Sequence, residues 1–255
     1  MTISIIGAGN LATNIAQAIK EKGHNIQYVF SRTMESAKKL ADIVHASPTD
    51  SISDIKPGAD IYIIAVKDSA LPDVAQKLVK NLPNQLLVHT AGSIDMDVIK
   101  ANRRGVLYPM QTFSKFKKVD FNNIHCFIEA ENINDLNIIN QLATSISDCV
   151  HQTDSQKRKI LHLAAVFACN FANHCEAIAE KILQDYDISF EVMKPLIKET
   201  FDKIMTTSPK VVQTGPAARN DKNVMDMHAK ILQQRYGSQI ETLYKQLSNS
   251  IQNLI

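Results

Sequence analysis

Residues 7–12, Gly-Ala-Gly-Asn-Leu-Ala, have the types and the spacing of a turn that binds a dinucleotide. Gly7 permits a tight turn, Gly9 lets a pyrophosphate approach the backbone, and the small Ala12 allows a helix to pack closely on a strand. The amides at the start of that helix would then donate to the phosphates. Because the turn lies between a predicted strand and a predicted helix, the pattern favours dinucleotide binding over a structural tight turn alone.

The residues after the second predicted strand indicate which dinucleotide is bound. About 20 residues past the glycine turn, where an NAD-binding chain places an acidic residue, this chain has Ser31, Arg32 and Thr33. A guanidinium and two hydroxyls can form charge-assisted hydrogen bonds to a 2′-phosphate. The segment therefore predicts NADP(H) as the cofactor, with a solvated loop cation as the alternative role of Arg32.

Polar residues interrupt the longest apolar stretch of the chain, residues 160–172. At about 100° per residue, His162, Asn170 and Asn173 share one face of a helix, and the first two lie about 12 Å apart along its axis. Unpaired burial would cost about 1–3 kcal/mol for each of them. The stripe predicts a cleft wall, with a satisfied core histidine and a packing asparagine as the alternative. Because the stretch is shorter than the roughly 20 residues that span a bilayer, it predicts a buried helix.

Turn-forming and polar residues are also concentrated at residues 214–221. A Gly-Pro pair in this segment predicts a rigid turn, and Asp221 has the side chain of a helix N-cap. Thr214, Arg219 and the free amides of the following helix could together bind an anion. The alternative is a structural loop with an exposed arginine.

Short β-rich runs alternate with helical runs up to residue 153, and only helical runs follow. The predicted strands are residues 3–6, 26–30, 61–66, 85–89, 106–108 and 124–128. The predicted helices are residues 11–22, 34–43, 71–80, 133–146, 155–184, 189–206, 221–235 and 239–253. Asp154 has the side chain of an N-cap for the helix that begins at residue 155. Alternation of this kind is typical of a parallel sheet with helices on both faces. We therefore predict an α/β chain, with a Rossmann-type doubly wound parallel sheet in an NADP-binding domain at 1–153 and an all-helical domain at 154–255.

Composition limits the classes of partner and of site. With 28 basic and 26 acidic residues, the formal net charge is +2, which disfavours binding to nucleic acid or to an anionic membrane. The four cysteines form no CxxC pair, and no export signal precedes the first strand, so we predict a cytoplasmic protein with reduced thiols. We predict no metal site, because the eight histidines are scattered and the consecutive residues His174, Cys175 and Glu176 diverge on a helix.

Further motifs complete a pattern that covers essentially the whole chain. They are residues 65–68 (Ala-Val-Lys-Asp), 89–93 (His-Thr-Ala-Gly-Ser), 108–113 (Tyr-Pro-Met-Gln-Thr-Phe), 162–167 (His-Leu-Ala-Ala-Val-Phe) with Asn170, and 214–221 (Thr-Gly-Pro-Ala-Ala-Arg-Asn-Asp). Together with the glycine turn, they resemble the Rossmann-like NADP oxidoreductases that have a C-terminal helical domain of unknown function. That group is distantly related to pyrroline-5-carboxylate reductase and the β-hydroxyacid dehydrogenases. Tyr108 stands where the group often has a histidine, and Asn220 where it often has a glycine.

The resemblance implies an enzyme that transfers hydride between NADPH and a small keto or imine acid in an interdomain cleft. It also implies that the second domain is similar to the C-terminal domain of 6-phosphogluconate dehydrogenase. In this chain, that second domain would bind the substrate and form a homodimer. The alternative is a non-catalytic NADP-binding sensor or scaffold. In the related dehydrogenases the corresponding helix supplies the acid that neutralises the charge left by hydride transfer, which implies His162 as the proton donor and Asn170 as the residue that orients the substrate.

Two sets of binding residues follow from the turn, the strand ends and the resemblance. The predicted cofactor-binding residues are Gly7, Ala8, Gly9, Asn10, Leu11, Ser31, Arg32, Thr33, Ala65, Val66 and Lys67. The predicted substrate-binding residues are His89, Ser93, Gln111, Thr214 and Arg219, and they imply a small anionic substrate. A histidine held by backbone groups alone is the alternative role of His89.

Overall fold

The structure is a computed structural model and describes residues 1–114 and 117–254, without the side chain of residue 254. The chain divides into two compact units, Met1–His174 and a second unit that begins at Cys175. The first helix after residue 153 belongs to the first unit, and its Leu161 packs against a buried cluster on the sheet. The predicted domain boundary at residue 153 marks the point where strands give way to helices, whereas the two compact units divide after His174. The predicted boundary stays a prediction.

The described residues form one sheet of eight strands in the order β3-β2-β1-β4-β5-β6-β7-β8. The strands are β1 (Thr2–Ile6), β2 (Asn25–Phe30), β3 (Ser47–Thr49), β4 (Ile61–Ile64), β5 (Leu87–His89), β6 (Arg104–Pro109), β7 (Cys126–Ala130) and β8 (Val150–Gln152). Neighbouring strands are parallel except for β6 and β7, which are antiparallel. Strand order reverses between β1 and β4, and ligands of open α/β sheets bind beyond the carboxyl ends of the strands at such a point.

The central strands are continuous apolar runs because helices cover both of their faces. Successive side chains of a strand point to opposite faces. Accordingly, Ile5 and Ile63 belong to one buried cluster, and Ile6 and Ile64 belong to the other. This burial holds the carboxyl ends of β1 and β4 in place next to each other.

Helices follow most of the strands. They are α1 (Asn10–Glu21), α2 (Met34–Val44), α3 (Leu71–Asn81), α4 (Ile133–Ile146), α5 (Ser155–Ala165), α6 (Ala172–Gln184), α7 (Lys194–Thr206) and α8 (Lys222–Leu254), and a π-helical segment, Val166–Phe171, joins α5 to α6. The predicted cap of α5 is present, because Asp154 accepts a hydrogen bond from the amide of Lys157 at 2.7 Å. Non-helical φ and ψ angles at Gly237 kink α8 between the two helices that the sequence predicts there.

The predicted fold class, a Rossmann-type sheet followed by helices, is confirmed. Two strands were not predicted, β3 and β8, which are three residues long and consist of Ser-Pro-Thr and Val-His-Gln. Neither has the alternating or continuous apolar pattern of a strand. The sheet is also not wholly parallel, because β7 runs against β6.

The prediction of a buried helix at residues 160–172 is wrong for the single chain. Its large apolar side chains Ile160, Leu163, Phe167 and Phe171 are at least half exposed. The π-helical turn also interrupts the uniform rotation of about 100° per residue from which the common face of His162, Asn170 and Asn173 was predicted. His162 is half-buried, whereas the two asparagines are exposed.

Within the described residues, no helix combines the length and the apolar character that a membrane crossing requires.

Candidate active site

The glycine turn after β1 lies against the end of β4. Gly7 has a φ of 132°, and a Cβ atom at this position would lie 2.2 Å from the carbonyl oxygen of Ala65. Gly9 is exposed, and a Cβ atom there would have no heavy atom within 4 Å. Gly7 is therefore required by the fold, whereas at Gly9 the open space lies outside the protein, on the side from which a ligand would approach.

Gly9 is also the N-cap of α1, and among the residues that the structure describes no side chain caps that helix. The amides of its first turn are free to donate to an anion. The open space at Gly9 and the uncapped helix start fit the pyrophosphate of a dinucleotide. The turn residues Ala8, Asn10 and Leu11 would hold it through backbone atoms.

Ser31, Arg32 and Thr33 lie at the carboxyl end of β2, beside the glycine turn in the sheet order. Ser31 donates its amide to the carbonyl of Thr49 at 3.1 Å, and Thr33 is the N-cap of α2. Arg32 is exposed, and its guanidinium has no ion pair or hydrogen bond with any residue that the structure describes. A cation held at this place without a protein partner fits a ribose 2′-phosphate.

The strand exit at residues 65–68 forms the other side of the turn. Ala65 is buried, Val66 is half-buried, and Lys67 and Asp68 are exposed. The carboxylate of Asp68 accepts a short hydrogen bond from the hydroxyl of Ser93. The structure thus joins the end of β4 to the loop after β5, which contains the predicted substrate residue Ser93.

Two residues from different elements, Tyr108 and His162, meet at Gly92 in that loop. A Cβ atom at Gly92 would lie 2.8 Å from Nδ1 of His162 and 2.8 Å from Cζ of Tyr108. The Tyr108 hydroxyl lies 3.4 Å from the same Nδ1 atom, and the two rings meet edge on at 72° with centroids 6.2 Å apart. Tyr108 is only 9% exposed, and burial raises the pKa of its phenol. The predicted proton donor therefore lies at the carboxyl ends of β5 and β6.

A buried arginine, Arg158, links the helix of His162 to the loop of Gly92. Its side chain is fully buried and forms a short ion pair with Glu129. It also donates to the carbonyl of Ala91 at 3.3 Å, to the carbonyl of Ile94 at 2.6 Å and to the hydroxyl of Ser155 at 3.0 Å. The loop between residues 91 and 94 is thus held at both ends by one guanidinium.

Sequence reasoning missed Arg158, Glu129 and Tyr108. A signal for Arg158 was present, because it precedes His162 by four residues and therefore lies on the same face of α5. Glu129 carries no such signal, since its partner is distant in the chain. Tyr108 belongs to the motif at residues 108–113, but that motif does not indicate its contact with His162.

The predicted substrate residue His89 ends β5 and is fully buried. Its Nδ1 atom accepts a hydrogen bond from the amide of Ala91 at 3.2 Å. Burial, and then the charge of Arg158, lower the pKa of His89 to about 3. The structure places this side chain behind the surface of the site and keeps it neutral.

We expect His89 to make the stability of the protein depend on pH. Its pKa is depressed in the folded state, so between pH 6.5 and about pH 3 the unfolded state binds the additional proton. As the pH falls below 6.5, the free energy of unfolding should therefore decrease by roughly 1.4 kcal/mol per pH unit. Urea unfolding at pH 7, 6 and 5 would measure the slope, and His89→Asn should flatten it. Equal slopes in both proteins would contradict the assignment.

Two predicted residues stand apart from the cluster at Gly92. Asn170 is exposed on the π-helical segment. Gln111 is exposed after β6, and its side-chain oxygen accepts from the amide of Thr112 at 2.8 Å. The contacts of the structure do not bring either residue to His162.

Thr214 and Arg219 lie in the second unit, in a loop before α8, and both are exposed. The guanidinium of Arg219 has no ion pair among the described residues. Asn220 adopts a φ of 53°, a conformation that glycine and asparagine accept most readily. Asp221 caps α8, as predicted, by accepting from the amide of Val224 at 3.3 Å.

Comparison with protein families identifies two segments. Residues 2–92 match the family described as NADP oxidoreductase, coenzyme F420-dependent. Residues 124–251 match a domain of unknown function, DUF2520.

Solved structures extend the similarity over the whole chain. The "putative NADP oxidoreductase" of Bacteroides fragilis is 46% identical, with 99% of this chain and 98% of that chain covered and a TM-score of 0.92. An imine reductase of Myxococcus stipitatus in complex with NADP+ is 13% identical, with 99% and 93% covered and a TM-score of 0.70. The pyrroline carboxylate reductase of Plasmodium falciparum with NADP bound is 11% identical, with 100% and 98% covered and a TM-score of 0.60. The last two share the fold.

Among curated proteins, the shikimate dehydrogenase (NADP(+)) of Rhizobium etli is 35% identical over 66 residues. The match spans 24% of this chain and 23% of the length of that dehydrogenase.

Proposed function

Because the chain belongs to the family of NADP oxidoreductases with a C-terminal DUF2520 domain, we propose that it transfers hydride between NADPH and a small keto or imine acid. The predicted enzyme class, an oxidoreductase, and the predicted cofactor, NADP(H), are confirmed by the family. The substrate class is our proposal.

The observation that supports this function best is the position of His162. A bound NADPH supplies a hydride, and the carbon that receives it leaves negative charge on its oxygen or nitrogen, which an acid must neutralise. His162 lies against Gly92 at the carboxyl end of β5, in the sheet whose β1 carries the glycine turn. The edge of the sheet formed by the carboxyl ends of the parallel strands therefore has both a turn that fits the cofactor and a side chain that can act as an acid.

The anionic part of the substrate is assigned to the loop at residues 214–221. Thr214 and Arg219 are exposed there. Arg219 has no ion pair within the described part of the chain, and an arginine suits a carboxylate, because its donors match the two oxygens. Ser93, which donates to Asp68, is the proposed contact on the sheet side. The interdomain cleft, the orienting role of Asn170 and a cytoplasmic location stay predictions.

The test is to incubate the protein with NADPH and a panel of small keto acids, cyclic imine acids and aldehydes, with the methyl ester of each acid as its control. We expect a loss of NADPH absorbance with a keto or imine acid, and much slower loss with its ester. Tight NADPH binding without turnover of any compound would favour a non-catalytic sensor or scaffold. Faster turnover of the esters would contradict the anionic substrate.

Replacing Arg32 with serine should weaken NADPH binding by about ten- to a hundredfold, because hydrogen bonds to a charged group contribute about 1.5–3 kcal/mol. NADH has no 2′-phosphate, so its affinity should change little. Fluorescence titration of wild type and variant with both nucleotides measures the difference. An equal loss of affinity for NADPH and NADH would contradict a contact between Arg32 and the 2′-phosphate.

We also propose a homodimer that forms through the helical region. Ile160, Leu163, Phe167 and Phe171 are exposed on one stretch of helix, and the rings of Phe167 and Phe171 meet edge on with centroids 5.0 Å apart. In the second unit, α7 and the segment before it also expose large apolar side chains, Val192, Leu196 and Met205. Exposed large apolar side chains of this kind mark an interaction site in each unit, and a second copy of the chain is the proposed partner.

Phe167→Glu should convert the dimer to a monomer at micromolar concentration, because a buried unpaired charge is costly. The matched control is Ile133→Glu on α4, since Phe167 is 64% and Ile133 65% exposed. Light scattering after gel filtration should give half the mass for the first variant and an unchanged mass for the second. A monomeric wild type would contradict the proposal.

A further inference from the structure

We propose that Tyr108 is a positioning residue that holds Nδ1 of His162, so that Nε2 is the atom that exchanges a proton with the substrate. This inference rests on the proposed function, and it names the atom and the partner on which that function depends.

The Nδ1 edge of the His162 ring is closed by its neighbours. The Tyr108 hydroxyl lies 3.4 Å from Nδ1, and position 92 has no space for even one additional carbon beside that atom. A substrate cannot approach Nδ1 while Gly92 and Tyr108 remain in place.

The other ring nitrogen of His162, Nε2, is not closed off in this way. Nε2 of His162 has no hydrogen-bond partner among the described residues, and the side chain is half-buried rather than enclosed. The two nitrogens of a histidine differ in role according to the hydrogen bond that one of them makes. Nε2 is therefore the atom available to a ligand.

A phenol suits the Nδ1 position in both protonation states of the ring. Burial raises the pKa of Tyr108, so its hydroxyl remains protonated and can both donate and accept. It accepts from Nδ1 in the imidazolium and again after Nε2 has released its proton, and it donates to Nδ1 in the tautomer whose proton is on Nε2. The ring orientation is thus maintained while the proton on Nε2 leaves and returns.

In the reducing direction the proton balance is simple. The N–H bond at Nε2 of the imidazolium breaks, its electron pair stays on Nε2, and the proton binds the oxygen or nitrogen of the substrate. The proton on Nδ1 stays in place, donated to the oxygen of Tyr108. Solvent returns a proton to Nε2 before the next turnover.

Arg158 keeps two of the three residues, Gly92 and His162, together. It holds the carbonyls of Ala91 and Ile94, on either side of Gly92, and it lies one helical turn before His162. The loop and the helix that meet at Nδ1 are therefore connected by one buried side chain.

The contact is tested without turnover, by 15N NMR of the imidazole nitrogens in the full-length apo protein. The His162 signals are identified by their absence in His162→Gln. Tyr108→Phe should move the Nδ1 resonance of His162 more than the Nε2 resonance. The control Tyr62→Phe removes another buried phenol, which donates to the carbonyl of Lys56 at 2.9 Å, and should move neither. An unchanged Nδ1 resonance in Tyr108→Phe would overturn the proposal.

Kinetics with the substrate found in the panel test the role. Tyr108→Phe should lower kcat by about ten- to a hundredfold, as expected for a misplaced catalytic group, and leave the KM for NADPH unchanged. Tyr62→Phe should keep the kcat of wild type. The amide of His162→Gln reaches the level of Nε2 and should keep the substrate KM while losing kcat, whereas the shorter His162→Asn should raise KM as well.

Full kcat in Tyr108→Phe, with the NMR contact present, would overturn the positioning role. If wild type turns over no compound while the Nδ1 resonance still responds to Tyr108→Phe, the proposed function fails and the contact is upheld. The two failures are therefore distinguishable.

Discussion

Arg158→Met should lower the free energy of unfolding by about 3–5 kcal/mol, because it leaves the carboxylate of Glu129 without its charged partner. The guanidinium is fully buried and also holds the carbonyls of Ala91 and Ile94. Urea unfolding of wild type and variant at pH 7 measures the change.

The neighbouring Lys159→Met provides the matched control, since Lys159 pairs with Asp95 at 2.6 Å with both side chains about half exposed. That variant should lose at most about 1 kcal/mol. The double variant Arg158→Met with Glu129→Met should be less destabilised than the single one, because no unpaired charge remains. Similar losses at Arg158 and Lys159 would contradict the assignment of Arg158 as the central connection of this site.

Gly9→Val should leave the protein folded and weaken NADPH binding by roughly a hundredfold or more. The position has open space for a side chain, but that side chain would separate the pyrophosphate from the amides of α1. Losing two hydrogen bonds to a charged group costs about 3–6 kcal/mol, which corresponds to at least a hundredfold in affinity. Thermal unfolding and nucleotide titration measure the two properties separately.

Gly7→Ala is the contrasting variant, because it should impair folding itself. The added Cβ atom would lie 2.2 Å from a backbone oxygen of Ala65, and the φ of 132° is strained for any residue with a side chain. We expect a lower melting temperature for this variant and a melting temperature near that of wild type for Gly9→Val. The reverse order would show that the turn is built differently.

Residue types that are close together in the sequence were sufficient to predict the turns, the central strands and the helix caps. The glycine turn, the apolar strands at the sheet centre and the N-caps Asp154 and Asp221 lie where the sequence predicts them. In each case, the residue types themselves specify the conformation. The short strands β3 and β8 could not be predicted in this way, since they are strands only because neighbours pair with them.

The candidate site was predicted in part for a similar reason. The cofactor residues lie in short runs at the ends of strands, whereas the pairs Tyr108 with His162 and Glu129 with Arg158 meet only after the sheet has formed. Their contacts join residues that are tens of positions apart, and no periodicity reports such pairs.

Burial of the helix at residues 160–172 was predicted wrongly. Hydrophobicity indicates that a surface is covered, but it does not indicate whether the same chain or another molecule covers it. Ile160 and Phe167 are apolar and exposed in the single chain. The exposed apolar side chains of this helix support the proposed dimer.

We propose that this chain transfers a hydride from NADPH to a carbon of a small acid. The most direct measurement uses NADPH that carries deuterium at the transferable position, incubated with the best substrate of the panel, followed by mass spectrometry of the product. We predict a product that carries a single deuterium on the reduced carbon in wild type, formed far more slowly by His162→Gln. Consumption of the labelled NADPH with a product that contains no deuterium on that carbon would contradict hydride transfer to the substrate.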